Sequence, residues 1–403
     1  MKVSSSANDL ANATTLSVQS TKSTTTHNPL SGSASQVIPD LICFSHLRWN
    51  FVYQRPQHLL SRASKNYRVW FLEEPMWSDS LHMSVSKQTD RLTVLVPHLP
   101  HGTDPEEAIR LQRQLLDEFI ARETIRSFVA WYYTPMAMLF SDHLEPSLTV
   151  YDCMDELSAF WGAPPQLLQK EKQLMQQADV VFTGGYSLYE AKQSRHPHVF
   201  AFPSSIDFAH FSSARKPQPD PVDQRSIATP RIGFSGVIDE RFDYKLMGEL
   251  AERRPDWQFV LLGPIVKIDP KLLPHQPNVH YLGMKAYKDL PMYFSNWDVA
   301  ILPFALNEST RFISPTKTPE YLAAGLPVVS TPIRDVIRTY GSKELVEIAN
   351  NAETFELAIE RMMTKESSNW QAVDSFLKEN SWDHTWSEMN RLMVAQLSVV
   401  VDQ

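Results

Sequence analysis

Only two cysteines occur in the chain, Cys43 and Cys153, far apart and each inside an apolar, strand-like run. That pair reads as buried free thiols of a reducing compartment rather than as a disulfide, and no metal-ligand spacing accompanies it. No apolar run is long enough to span a bilayer. The segment after Met1-Lys2 is rich in Ser, Thr, Asn and Ala and has no apolar core, so it does not read as a secretory signal. Positive charge is not in excess: 38 Lys and Arg face 46 Asp and Glu, a net charge of −8, which argues against nucleic acid as the main partner. Neither a G-x-G-x-x-G turn nor a P-loop is present, so dinucleotide and P-loop readings lose their main support.

What is present is an ordinary globular composition, 43% apolar and 11% aromatic, over 403 residues, enough for two or three domains. Residues 1–38 cannot bury enough surface to offset ordering entropy and are expected to be a disordered tail. From Asp40 onward short apolar runs alternate with helical patterns, which predicts βα units and parallel sheets. Strands are expected at Leu41–Ser45, Val69–Leu72, Leu92–Val96, Phe128–Trp131, Leu148–Tyr151, Val180–Thr183 and Val199–Phe202, completing a first α/β domain over 39–211. Residues 212–230, with Lys216-Pro217-Gln218-Pro219-Asp220-Pro221, read as an extended proline-rich linker. A second α/β domain over 231–380 has strands at Ile232–Ser235, Phe259–Leu262, Val279–Tyr281, Val299–Leu302, Val328–Ser330 and Val346–Ile348. A helical segment over 381–403 ends the chain. Two such domains place a cleft between the carboxyl ends of two sheets, where open α/β sheets bind ligands.

The richest stretch runs from Ser314 to Val329. Ser314 suits an N-cap, Pro315 the first helical position, Gly325 the left-handed position after the helix, and Val328 begins a strand. Arg311 and Lys317 then put positive charge at the helix N-terminus, where the macrodipole disfavours it by roughly 0.3–1 kcal/mol each. A bound phosphate at Thr316 and Lys317 would reverse that sign. Glu320, one turn further in, could accept hydrogen bonds from sugar hydroxyls. The alternative is a solvated Lys317–Glu320 pair on a surface helix.

Other loops of the second half point to the same edge. Gly236 permits close backbone approach and Arg241 could reach a phosphate, although an ordinary βα turn is the alternative. Gly263 and Tyr287 follow the next two strands and could frame a nucleobase. Asn307 lies in the polar loop leading to Arg311. In the first half, the loop His46-Leu47-Arg48-Trp49-Asn50-Phe51-Val52-Tyr53 suits a sugar acceptor through Arg48, Trp49 and Tyr53, or else its aromatics pack the loop down. Strand Leu148–Tyr151 ends in Asp152-Cys153-Met154-Asp155-Glu156. Asp152 or Asp155 could act as general base on an acceptor hydroxyl, or orient it, with His46 a further candidate and helix capping the competing role for Asp155.

The Gly-Val-Ile-Asp-Glu-Arg turn at 236–241, the Tyr-Leu-Gly turn at 281–283 and Ser314 through Val329 resemble the donor domain of GT-B glycosyltransferases. The likeness is to the family four, or group one, branch, with a Pro-Thr-Lys version similar to exopolysaccharide and teichuronic-acid-type transferases. Trp382-Asp383-His384-Thr385-Trp386 resembles the C-terminal helix that crosses back to the first domain. The resemblance implies two Rossmann-like domains across a cleft, with Glu320 on the ribose and Lys317 and Arg241 on the diphosphate. It implies a cytoplasmic transferase using a nucleoside diphosphate sugar and a saccharide or lipid-linked acceptor, at most peripheral to the inner face of the membrane. No cofactor or metal is expected, since no acidic D-x-D pair ends a strand in the donor half. One departure stands out: the branch usually has a glutamate eight positions before Glu320, and here that position is Phe312. A sugar-nucleotide epimerase on the same fold and an inactive sugar-binding scaffold are the rival readings.

Overall fold

The structure, a computed structural model, describes residues 39–364 and 370–401. The tail expected over 1–38 lies outside the described residues.

The first sheet contains β1 (Asp40–Phe44), β2 (Arg68–Leu72), β3 (Met76–Ser78), β4 (His82–Thr89), β5 (Leu92–Pro100), β6 (Phe128–Tyr132), β7 (Leu148–Cys153), β8 (Val180–Thr183) and β9 (Val199–Ala201). Their order is β3-β5-β2-β1-β6-β7-β8-β9, with β4 antiparallel on β5 and every other pairing parallel. The central strands are near-continuous apolar runs, such as Leu-Ile-Cys-Phe in β1, because helices cover both faces of a parallel sheet. β5 was expected, as Leu92–Val96, but β3 and β4 were not. β4 is mostly exposed, and its mixed sequence His-Met-Ser-Val-Ser-Lys-Gln-Thr carries no clear apolar alternation to announce it.

The second sheet is β10 (Arg231–Ser235), β11 (Gln258–Leu262), β12 (Val279–Gly283), β13 (Val299–Leu302), β14 (Val328–Ser330) and β15 (Glu347–Ile348). Its order is β12-β11-β10-β13-β14-β15, all parallel. Both sheets are therefore doubly wound, with strand order reversing between β1 and β6 and between β10 and β13.

The proline-rich segment is not the extended linker expected over 212–230. Phe211, Ala214 and Ile227 are buried in the second domain's core beside Phe294 and Trp297. Gln224 accepts the Trp297 indole N–H at 2.9 Å, and Arg231 pairs with Asp220 at 2.7 Å. The apolar residues flanking the prolines anchor the segment, and the prolines keep it extended along the domain surface. The chain instead crosses between domains just before Ile206. It returns at Ser381, and Ile206 and Ser381 form a parallel bridge.

After the return, the Trp382–Val401 helix inserts Trp382, Trp386, Met389 and Met393 into the first domain's core. Trp382, 1% exposed, stacks on the His58 ring at 4.6 Å. Replacing Trp382 with alanine is expected to cost about 3–5 kcal/mol, because a buried aromatic leaves a cavity its neighbours cannot fill. Urea unfolding monitored by circular dichroism measures that loss.

Candidate active site

The two strand-order reversals set the site. Loops leaving β1 and β6, or β10 and β13, run to opposite faces of their sheet and leave a crevice at the carboxyl edge. The two crevices face each other, and two cavities lie between them.

One cavity, of about 380 Å³, is bounded by Trp49–Tyr53 of the first domain and by Gly236, Gly263, Tyr287 and Lys317 of the second. Gly236 and Gly263 are required by sterics. Gly263 has φ +142°, and a Cβ there would sit 1.7 Å from the Gly236 carbonyl oxygen. Tyr287 cannot offer a face to a base as expected. One face stacks on Tyr53 at 4.4 Å and the other on His210 at 4.5 Å. Its buried hydroxyl has no hydrogen-bond partner within the protein, so its edge remains for a ligand.

The other cavity, of about 130 Å³, is smaller; Arg55, Asp155, Ser204, Gly236, Arg241 and Lys317 are among its walls. The helix expected after Ser314 is present, with its start shifted. The helix is Lys317–Ala324 with Thr316 at the N-cap, while the Ser314 carbonyl accepts from Ser204 Oγ at 2.6 Å. Gly325 ends the helix at φ +86°. Lys317 Nζ donates to Glu320 at 2.6 Å, and this pair is buried rather than solvated: Glu320 is 3% exposed. Burial pushes the Glu320 carboxyl up, and Lys317 only partly offsets it. Glu320 lines neither cavity while Lys317 covers it.

The three carboxylates after β7 separate. Asp152 is wholly buried and held by Arg55, whose Nε donates to both carboxylate oxygens at 3.0 Å. It does not face the cleft, which corrects its candidacy as a base. The signal for this pairing was in the sequence as Arg55, next to Pro56, but pairing residues 97 positions apart needs the fold. Asp155 does face the cavity. Its carboxylate has no hydrogen-bond or ion-pair partner among the described residues, and the next short helical turn takes no side-chain cap from it. Burial pushes its pKa up to about 6, opposed by Arg241 and Arg55 and reinforced by Asp239. His46 lines neither cavity; burial lowers it to about 4, Lys267 adds to that shift, and Nδ1 has no hydrogen-bond partner. It is neutral at physiological pH.

Arg241 reaches the small cavity as expected, paired to Asp239 through Nε and Nη2, with Nη1 uncommitted. Its guanidinium lies over the Phe160 ring at 5.3 Å. Other expected residues fall elsewhere. Arg48 holds Glu73 and the Glu74 carbonyl, so it braces its loop. Trp49 borders the larger cavity but packs edge-on against Phe71, and Tyr53 is committed to Tyr287. Asn307 caps a helical turn by accepting from the Thr310 amide. Arg311 is exposed, near Glu308. Phe312 packs against the first domain's core, so an apolar interdomain contact occupies the position of the usual glutamate.

Two doubly wound domains joined by a double crossing, with a cationic cavity beside a nucleoside-sized one, define a GT-B fold. Residues 230–365 match the family described as glycosyl transferases group 1. A relative, TuaH of Bacillus subtilis (strain 168), carries the name of a teichuronic acid biosynthesis glycosyltransferase. It is 29% identical over 225 residues, which are 50% of this chain and 54% of TuaH, so the match spans about half of each. The fold is similar to sucrose-phosphate synthase from Thermosynechococcus elongatus, with a TM-score of 0.68 and 13% identity over 90% of this chain and 100% of that one. It is also similar to an E. coli structure titled trehalose-6-phosphate bound with UDP-2-fluoro glucose, with a TM-score of 0.67 and 12% identity over 88% and 98% of the chains.

If Asp152 is structural, Arg55→Met should destabilise the protein by about 3–5 kcal/mol by stranding a buried carboxylate. The double variant Arg55→Met/Asp152→Leu should recover most of that loss in thermal unfolding.

Proposed function

We propose that this protein transfers a hexosyl-type unit from a nucleoside diphosphate sugar to a saccharide or lipid-linked acceptor in cell-surface polysaccharide or glycoconjugate synthesis. The observation that carries the reading is the placement of Asp155, the carboxylate without a partner, in one cavity with Arg241 and Lys317, next to a cavity suited to a nucleoside. The nucleoside lies between Gly236–Gly263 and the Tyr53–Tyr287 stack. The diphosphate meets Lys317 Nζ, Arg241 Nη1 and the helix start at Thr316. Glu320, released by Lys317, receives ribose hydroxyls. In the transfer step the bond from the sugar's anomeric carbon to the diphosphate breaks and one to the acceptor oxygen forms. The nucleoside diphosphate leaves. Asp155 accepts the hydrogen bond of the incoming hydroxyl and takes its proton as the new bond forms.

Leaving-group charge is neutralised by fixed cations, so transfer is expected to survive chelation of divalent metals. The two buried free thiols fit a cytoplasmic setting, and a lipid-linked acceptor would bring the protein to the inner face of the membrane. Among the described residues no helix is long and apolar enough to cross a membrane. The name of the TuaH relative supports the polysaccharide assignment.

Calorimetry against UDP, GDP, ADP and dTDP tests the donor half. One base should be selected, and Lys317→Ala should weaken binding by roughly 10- to 100-fold, the value of a charged hydrogen bond. A folded protein that binds none of them is a scaffold and not a transferase.

Asp155→Asn should lower kcat by about 10²–10⁴-fold with donor affinity retained. The ionised carboxylate is the working form and its pKa is raised, so activity should fall as pH drops through about 6 and level off above it. A pH–rate profile of wild type and Asp155→Asn checks both the sign and the position of that limb.

A further inference from the structure

A third cavity lies between the domains, next to the small one. The same loops contribute to both: Asp155, Arg241 and Phe304 line the small cavity, while Trp161, Glu240 and Asn307 line the third. This third cavity has a volume of about 670 Å³. Trp161 stands at its wall with 78% of its surface exposed, unusual for the largest aromatic side chain. Its backbone N–H donates to Glu240 Oε1 of the other domain at 3.0 Å, which ties its loop across the cleft. The ring joins none of the apolar core clusters and leaves its face open to the cavity. Around it are hydrogen-bonding groups of both kinds. Lys245 and Lys267 are exposed and enter no ion pair among the described residues. The carboxylates of Asp243 and Asp269 each accept one backbone N–H, from Leu246 and Lys271, with oxygen left over.

The acceptor loop expected from the sequence does not compete for this role. Arg48 is tied to Glu73, Trp49 to Phe71 and Tyr53 to Tyr287. Asp155 lines the small cavity and Trp161, further along the same loop, lines the third, so an acceptor that extends from the small cavity along that loop meets Trp161.

Resting on the transferase reading above, we propose that this third cavity is an acceptor subsite for the pyranose units behind the one whose hydroxyl reacts. Trp161 packs on the apolar face of one such unit, and Glu240, Lys245, Lys267 and Asp269 meet its hydroxyls. The acceptor is then a saccharide chain of several units, and a free monosaccharide is a poor one.

The experiment measures transfer from the donor selected by calorimetry to teichuronic acid fragments of two, four and six sugars, using wild type, Trp161→Ala and Trp161→Phe. Trp161→Ala should raise KM for the four- and six-sugar primers about tenfold or more. It should leave kcat and the KM for donor unchanged and raise the KM for the two-sugar primer less. Trp161→Phe should restore most of the loss, which a fold defect would not allow. Equal KM changes at every primer length, or a change in kcat alone, overturns the subsite. So does an absence of transfer to all primers by a protein that still binds its nucleotide, with the donor site left standing. Loss of nucleotide binding in wild type instead brings down the transferase reading itself.

Discussion

The structure depends on the reversal of strand order in each parallel sheet. Parallel strands need right-handed crossovers, so loops on either side of the first strand leave for opposite faces and open a crevice there. β1/β6 and β10/β13 do this in the two domains. The residues with chemistry to perform sit on the loops leaving these sheets, while the strands carry apolar side chains covered on both faces. One crevice alone is a shallow notch. Two become an enclosed site only if the domains are held face to face. The double crossing does this: the Ile206 N–H donates to the Asn380 carbonyl and the Trp382 N–H to that of Ile206, so both connecting strands bend at one place.

The electrostatics of the cleft follow from burial. A cation taken out of water without a counterion is costly, and each one here carries its own carboxylate. Arg55 has Asp152, Arg241 has Asp239 and Lys317 has Glu320. These pairs differ in kind. Asp152 is wholly buried and is held by Arg55, which spends Nε on it and Nη1 on the Phe202 carbonyl, so this pair has little to exchange. Arg241 and Lys317 keep N–H groups free and face the cavity, so in the proposed reading a diphosphate would join or replace their partners. Glu320 would gain most from such an exchange. Its carboxylate is destabilised by burial, and with Lys317 turned to a phosphate, sugar hydroxyls would be its donors.

The fold was legible because parallel strands buried on both faces are short apolar runs that stand out from their surroundings. β8, β13 and β14 begin and end where their apolar runs do. What pairs across long sequence separations was not legible. Nothing in Asp152-Cys153-Met154-Asp155-Glu156 says which carboxylate points inward, because the strand end decides it, and Arg55 claims Asp152 from far upstream. Trp49 and Tyr53 looked like sugar platforms for the same reason that Trp161 now does. The difference is exposure, set by whether Phe71 or Tyr287 lies opposite, and a string of residues does not carry that. The proline segment misled because its spacing is that of a linker, whereas Phe211 and Ile227 at its flanks decide where it lies.

A helix cap also crosses between the two domains. The Tyr186–Lys192 helix in the first domain starts at Gly185, which has no side chain to cap it. The cap comes from the other domain: Asp335 accepts the Ser187 N–H at 3.0 Å, and its neighbours Arg334 and Arg338 each reach Glu190 at 2.7 Å. A side-chain cap of this kind contributes about 1 kcal/mol. On opening, water replaces it at both ends, and burial already raises the Asp335 carboxyl above its ordinary value. This contact therefore links the two domains through hydrogen bonds and ion pairs and not through apolar burial.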